Sequence, residues 1–474
     1  MSITITEATI SEMQLGMSTG NLTAKKLTTL YLEEIALLNN EINAVSEINP
    51  EAMHIAEALD TERAEKGVRG PLHGIPILIK DNINTGDKMH TTAGSVALEN
   101  NFADDDAFIV KILREAGAVI LGKTNLTEWA NFMTEGMPNG YSSLGGQVMN
   151  PYGPGKLDVG GSSAGSGAAI AANFAAGAIG TETSGSILSP ASSNSLVGIK
   201  PTVGLMSRTG IIPISNSQDT AGPMTRTVED TAVMLSILAV TDREDPATTI
   251  NQQELDYSLF LNKNGLQNTT LGISRDYLEG LDEEELSIIN AALRDIENLG
   301  AKIIDPITLR ADIDDFNVML HEFKSGVNAY LKDLSANVPV HSLEEVIQFN
   351  EVHKEEALQY GQSVLKQSNE KSGRLVEAEY INSRLNDIKM SQNQGIDKVM
   401  DEHLLDALIF ANNYGAEIAA KAGYPSITVP AGFTSEGKPV GITFSGKAFS
   451  ESKLIELAYA YEQATKHRQI PKLD

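Results

Sequence analysis

Gly74-Ile-Pro-Ile-Leu-Ile-Lys-Asp-Asn82 is the stretch on which the fold turns. Gly70 to Pro76 breaks the pattern before it, and Ile75 to Ile79 is an apolar run too short for a helix. Such a run reads as a strand buried on both faces. Downstream, Asp106 to Gly117 has the spacing of an amphipathic helix, and Ala118-Val-Ile-Leu121 is a second apolar run. A helix between two buried strands predicts βαβ units and a largely parallel sheet.

Upstream, Thr23 is placed to cap a helix with Leu27, Leu30, Tyr31 and Ile35 on one face, and another helix follows Asn49-Pro50. Gly140 to Gly210 is crowded with Gly, Ser and Ala, and its charges are sparse. A linker would not carry the apolar runs Ala168-Ala-Ile-Ala-Ala172 and Leu196-Val-Gly-Ile199. The stretch reads as close-packed backbone whose N–H groups can face a ligand. Residues 245–400 are more polar. Leu271-Gly-Ile273 reads as a strand, Glu283 to Leu299 as a helix ended by Gly300, and 315–400 as long helices. Strands return at Ala407–Phe410, Ser426–Val429 and Val440–Phe444, then a helix from Ser450 to Lys466. No repeat of 20–50 residues is visible.

The chain has 474 residues, with 36 Lys+Arg against 63 Asp+Glu, a net charge of −27. That balance argues against nucleic acid and against an anionic membrane as partners. The absence of Cys excludes disulfides, thiolate catalysis and Cys-ligated metals. The opening stretch lacks a basic segment followed by an apolar core, and the longest apolar run, Ala168 to Ile179, is too short to span a bilayer. A cytoplasmic protein is the expectation.

None of the eight His residues sits in H-E-x-x-H or pairs at i, i+4 with another. Gly161-Ser-Ser-Ala-Gly165 formally matches the G-x-S-x-G elbow, which needs an acid and then a His later in the chain. Asp401 with His403 or His467 could serve, without local support. Three features combine better. Lys80 closes the apolar run, Gly160-Gly-Ser-Ser-Ala-Gly-Ser-Gly167 follows, and Gly180-Thr-Glu-Thr-Ser-Gly-Ser186 comes next. Alone, Lys80 could be paired with Asp81, and the serines could be turn chemistry.

Together these residues resemble the amidase signature family. Gly198-Ile-Lys-Pro-Thr202, Gly222-Pro-Met-Thr-Arg226, Gly122-Lys-Thr-Asn-Leu-Thr-Glu-Trp-Ala130 and Tyr424-Pro-Ser-Ile-Thr-Val-Pro-Ala-Gly432 extend the resemblance over nearly the whole chain. Within the family, Trp129-Ala-Asn-Phe132, Gly145-Gly-Gln147 and the run from Ile211 to Pro223 are most similar to bacterial peptide amidases, which remove a C-terminal amide. The resemblance implies one large α/β domain, 1–474, with a mixed sheet flanked by helices on both faces. A signature core at about 70–240 and a more variable helical region at about 245–400 are expected within it. It also implies a Ser–cis-Ser–Lys triad, with Ser186 as nucleophile, Ser162 as bridging serine and Lys80 as base, and the serines 24 positions apart. Thr183, Ser184 and Gly185 would give the oxyanion and substrate N–H donors.

This chain departs from the family in having Glu182 and Ser184 where Asp and Gly are frequent, and Leu188 where Arg is frequent. The implied activity is hydrolysis of a primary carboxamide on a small molecule or peptide, without metal or cofactor. The protein would be a monomer or homodimer. The alternative is the ammonia-supplying amidase component of a glutamine-dependent tRNA amidotransferase complex, which would need partner subunits. A non-catalytic binding module is the third reading, and the three triad residues count against it.

Overall fold

Thr23 adopts an extended conformation and its side chain accepts from Lys26 N–H, so the first long helix runs Ala24–Ile42. The computed structural model describes residues 5–250, 256–309, 313 and 316–473. The deciding apolar run forms β2, Pro76–Lys80, preceded by β1, Val45–Ile48. The helix Phe108–Glu115 leads to β3, Val119–Thr124. A two-stranded hairpin follows, β4 Tyr141–Ser142 and β5 Gly146–Gln147. The Gly/Ser-rich stretch then yields β6, Gly177–Glu182, and β7, Val197–Lys200, with β8 at Thr220–Thr225. β9 Thr270–Ile273, β10 Lys302–Ile304, β11 Ala407–Ala411, β12 Ser426–Phe433 and β13 Pro439–Ser445 complete the set.

Eleven strands form one sheet in the order β1-β3-β2-β6-β8-β7-β12-β13-β11-β9-β10. Every residue of β2, β3, β6, β8, β11 and β13 is buried. Successive side chains point to opposite faces, so both faces of this single domain are covered.

The sheet is mixed, not largely parallel. Six of its ten neighbour pairs are antiparallel. Apolar runs flanking a helix showed only the parallel β2–β3 unit. The antiparallel pair β6 and β8 is made largely of Gly, Ala, Thr and Pro, and carries no strand periodicity. The expected long helices in 315–400 stand at the two ends of that segment. Asn317–Leu331 has 15 residues, and Ala378–Ile388, Lys389–Ile396 and Asp397–His403 follow one another without a break; the helices between have at most 10 residues. Those from Asn317 to Asn369 pack on a hydrophobic cluster of their own around Trp129, Phe132, Phe323 and Val327, while Ile396, Val399 and Met400 join a cluster with Phe410 and Ile418. Among the described residues, no helix is long and apolar enough to cross a membrane.

Candidate active site

β2 and β6 are parallel neighbours, so Lys80 and Glu182 end adjacent strands at the same edge of the sheet. Lys80 is fully buried. Its Nζ donates to Ser162 Oγ at 2.8 Å, to Thr181 Oγ1 at 2.8 Å and to the Thr181 carbonyl at 3.3 Å. Asn82 Nδ2 holds the same Thr181 hydroxyl at 3.0 Å. Burial pushes the Lys80 ammonium down to about 7, against the opposing charges of Glu182 and Asp219. At that value the amine is partly neutral near pH 7 and can accept a proton.

Ser162 lies in the loop before the helix Ala164–Ala171, and the Gly161–Ser162 peptide is cis. Gly160 has φ +71°, and a Cβ there would lie 2.7 Å from the Pro190 backbone. Only glycine lets this loop press so closely on the helix Leu188–Ser193. Thr127 N–H donates to the Ser162 carbonyl at 3.0 Å, and Ser163 N–H to the Ser186 carbonyl at 3.1 Å. The second bond ties the two serine segments together. The Ser163 hydroxyl is taken up by the Thr181 backbone, donating to its carbonyl at 3.0 Å and accepting from its N–H at 3.2 Å. Gly161 to Gly165 follows a loop rather than a strand, so its G-x-S-x-G match is not a nucleophile elbow.

Ser186 sits in the turn between β6 and the helix Leu188–Ser193. It is 8% exposed, and among the described residues its hydroxyl has no hydrogen-bond partner. Gly185, at φ +83°, makes the turn possible. The Glu182 carboxylate gathers three N–H groups of the turn: Gly185 at 2.8 Å, Ile187 at 2.7 Å and Leu188 at 3.0 Å. The N–H groups of Thr183, Ser184 and Ser186 find no acceptor among the described residues. The donor set read from the sequence changes accordingly. Gly185 N–H is occupied by Glu182, and Ser186 N–H is open beside those of Thr183 and Ser184. Three open N–H groups in one tight turn form a concavity suited to a negatively charged oxygen.

The Thr183 hydroxyl donates to Asp219 Oδ1 at 2.5 Å. Asp219 Oδ2 accepts from the N–H groups of Ile214 at 2.8 Å and Ser215 at 2.9 Å. Burial pushes the Asp219 carboxyl up to about 6. A cavity of about 710 Å³ opens here, lined by Asn82, Thr181, Thr183 and Asp219 on one side and by Glu322 and Tyr330 of the helix Asn317–Leu331 on the other. Lys80, Ser162 and Ser186 are not part of this lining; Thr181 and Thr183 connect them to it. A smaller cavity of about 380 Å³ touches Ser184, with Tyr277 and Asn413 among its walls. Leu188 is fully buried at the head of its helix, so this position carries no charge into the site.

The structure thus joins Lys80 to Ser162 directly and sets Ser186 beside them through the backbone. Thr181, Glu182, Asn82 and Asp219 escaped sequence reasoning as site residues. A carboxylate three positions before Gly185 was a readable signal for Glu182, since acidic side chains cap open N–H groups. Asp219 gave no comparable local signal, because its partner Thr183 is 36 positions away.

The family model described as Amidase matches residues 26–455. The native peptide amidase of Stenotrophomonas maltophilia, a solved structure, is 42% identical with a TM-score of 0.92, covering 99% of each chain. A protein of Arabidopsis thaliana named "Probable amidase" is 43% identical over 99% of this chain and 92% of its own length. A glutamyl-tRNA(Gln) amidotransferase component from Methylobacillus flagellatus is 42% identical over 61% of this chain and 57% of its own.

Proposed function

The chain belongs to the amidase family and is an amidohydrolase, and from that premise we propose that it removes the C-terminal carboxamide of peptides through a Ser186 acyl-enzyme. One observation carries the reading: a fully buried Lys80 whose Nζ lies 2.8 Å from Ser162 Oγ, beside a turn that presents Ser186 and open N–H groups. In this reading Ser186 Oγ attacks the amide carbon. Its proton passes to Ser162 Oγ as the Ser162 proton passes to neutral Lys80. The oxygen of the tetrahedral intermediate takes its negative charge to the N–H groups of Thr183, Ser184 and Ser186. Each such donor is worth ~3–4 kcal/mol in comparable hydrolases.

The C–N bond then breaks, and ammonia leaves with the proton returned through Ser162. Water attacks the acyl-enzyme by the same relay and yields a carboxylate and free Ser186. The relay requires a hydrogen bond between the Ser186 and Ser162 hydroxyls, which forms when substrate docks. Lys80 needs no metal to become a base; burial supplies the shift.

The peptide substrate rests on the likeness to the Stenotrophomonas maltophilia enzyme over 99% of both chains. The amidotransferase component matches over 61% of this chain, so a glutamine-dependent role with partner subunits is the second reading. A panel of peptide amides, free glutamine, asparagine and simple aliphatic amides, assayed for ammonia release, separates them. Peptide amides should be turned over fastest. Glutamine hydrolysed in preference to every peptide amide would overturn the reading.

A further inference from the structure

The large cavity beside Thr181 and Thr183 has walls whose charges do not cancel. Among the described residues that line it, the single cation, Arg208, is spent: the guanidinium grips Asp245 with two hydrogen bonds at 2.9 and 2.6 Å. Two other carboxylates remain, those of Asp219 and Glu322, which are buried and both line the cavity. Ser215 bridges them, with its N–H on Asp219 at 2.9 Å and its hydroxyl on Glu322 at 2.6 Å. The remaining partners of Glu322 are Ser217, through N–H and hydroxyl at 2.9 Å, and the Tyr380 hydroxyl at 2.8 Å. Those of Asp219 are Ile214 N–H and the Thr183 hydroxyl. All of these donors are neutral. Glu244, at the exposed mouth, adds a further acid.

A second observation is independent of charge. Asn82 is 2% exposed and lines the same cavity. Its Nδ2 is turned to Thr181, and its Oδ1 has no donor among the described residues. A buried acceptor without a donor costs ~1–3 kcal/mol until something supplies an N–H. A buried carboxylate whose nearby cation is already gripped by another acid is likewise costly. The fold leaves both needs open in one cavity, next to the residue that holds Lys80.

We propose that this cavity selects peptide amides carrying a protonated basic group, whose N–H donors and positive charge meet Asn82, Asp219 and Glu322. The inference rests on the peptide-amidase reading above and names its substrate class. Two sources present this chemistry, a free N-terminal amine and a lysyl or arginyl side chain. A bound cation would also keep Asp219 ionised against the burial that raises it.

Three substrates test the proposal: N-acetyltrialanine amide, trialanine amide and N-acetyl-lysyl-dialanine amide. At least one of the two cationic substrates should have a kcat/KM roughly tenfold above the neutral one, chiefly through KM. Which one gains identifies the source of the charge. Glu322→Gln and, at the exposed mouth, Glu244→Gln should each lower that ratio, so a folding defect in the first variant leaves the second to decide. Equal rates for all three substrates, or a faster neutral one, would overturn the inference and leave peptide-amide hydrolysis standing. If none of the three releases ammonia while glutamine does, the peptide-amidase reading fails and takes this inference with it.

Discussion

The turn from Glu182 to Leu188 and the helices between Asn317 and His403 are built by opposite means. The turn sits at the end of a fully buried strand, carries one charge, and spends that charge on its own backbone. The helices are acidic, they leave Val352, Val376 and Leu385 exposed, and those from Asn317 to Asn369 pack on a separate hydrophobic cluster. Backbone geometry fixed by the central sheet places the groups proposed to react. Side chains on the helices, Glu322 above all, shape the wall of the cavity. Substitutions in the first region should therefore strike the rate, and those in the second should strike substrate binding.

The strongest test of that division is Lys80→Ala. Hydrolysis at neutral pH should fall by several orders of magnitude in kcat, because among the described residues no other base contacts Ser162. Next comes Glu182→Gln. The carboxylate accepts three N–H bonds, and each bond to a charged acceptor is worth ~1.5–3 kcal/mol, so the turn should loosen. A fall in kcat of roughly 10²-fold is expected in steady-state kinetics, with a lowered Tm.

The third test is the pH profile. In the proposed relay Lys80 is a base only when neutral, and its value of about 7 lies far below that of a free lysine. The logarithm of kcat/KM should rise with unit slope as pH climbs toward about 7 and then level off. A profile still rising at unit slope through pH 9 would show a base with an ordinary lysine value. The smallest effect belongs to the helical side. Leu375 lines the cavity, and Leu375→Ala should raise KM by no more than about tenfold with kcat unchanged. A large loss of kcat there would break the comparison.

How much of this was legible in the sequence follows the same division. Ile75 to Ile79, the Thr23 cap and the C-terminal strands carry strong local patterns, and they form the elements that those patterns predict. β6 and β8 do not, because their residues are small and their pairing joins positions far apart, such as Gly177 with Thr225. Periodicity alone therefore favoured a parallel sheet. Lys80, Ser162 and Ser186 could be picked out only by resemblance, since a lysine after an apolar run and serines among glycines each have ordinary structural uses. The roles of Thr181 and Asp219 depend on contacts 101 and 36 positions away. No spacing rule reaches so far.

The central claim is that Ser186 carries the acyl group while Ser162 relays the proton. Labelling with a fluorophosphonate probe, followed by peptide mapping, reads the nucleophile directly. The adduct should lie on Ser186, Ser186→Ala should abolish it, and Ser162→Ala should slow labelling without removing it. An adduct on Ser162, or full labelling of Ser186→Ala, would contradict the account.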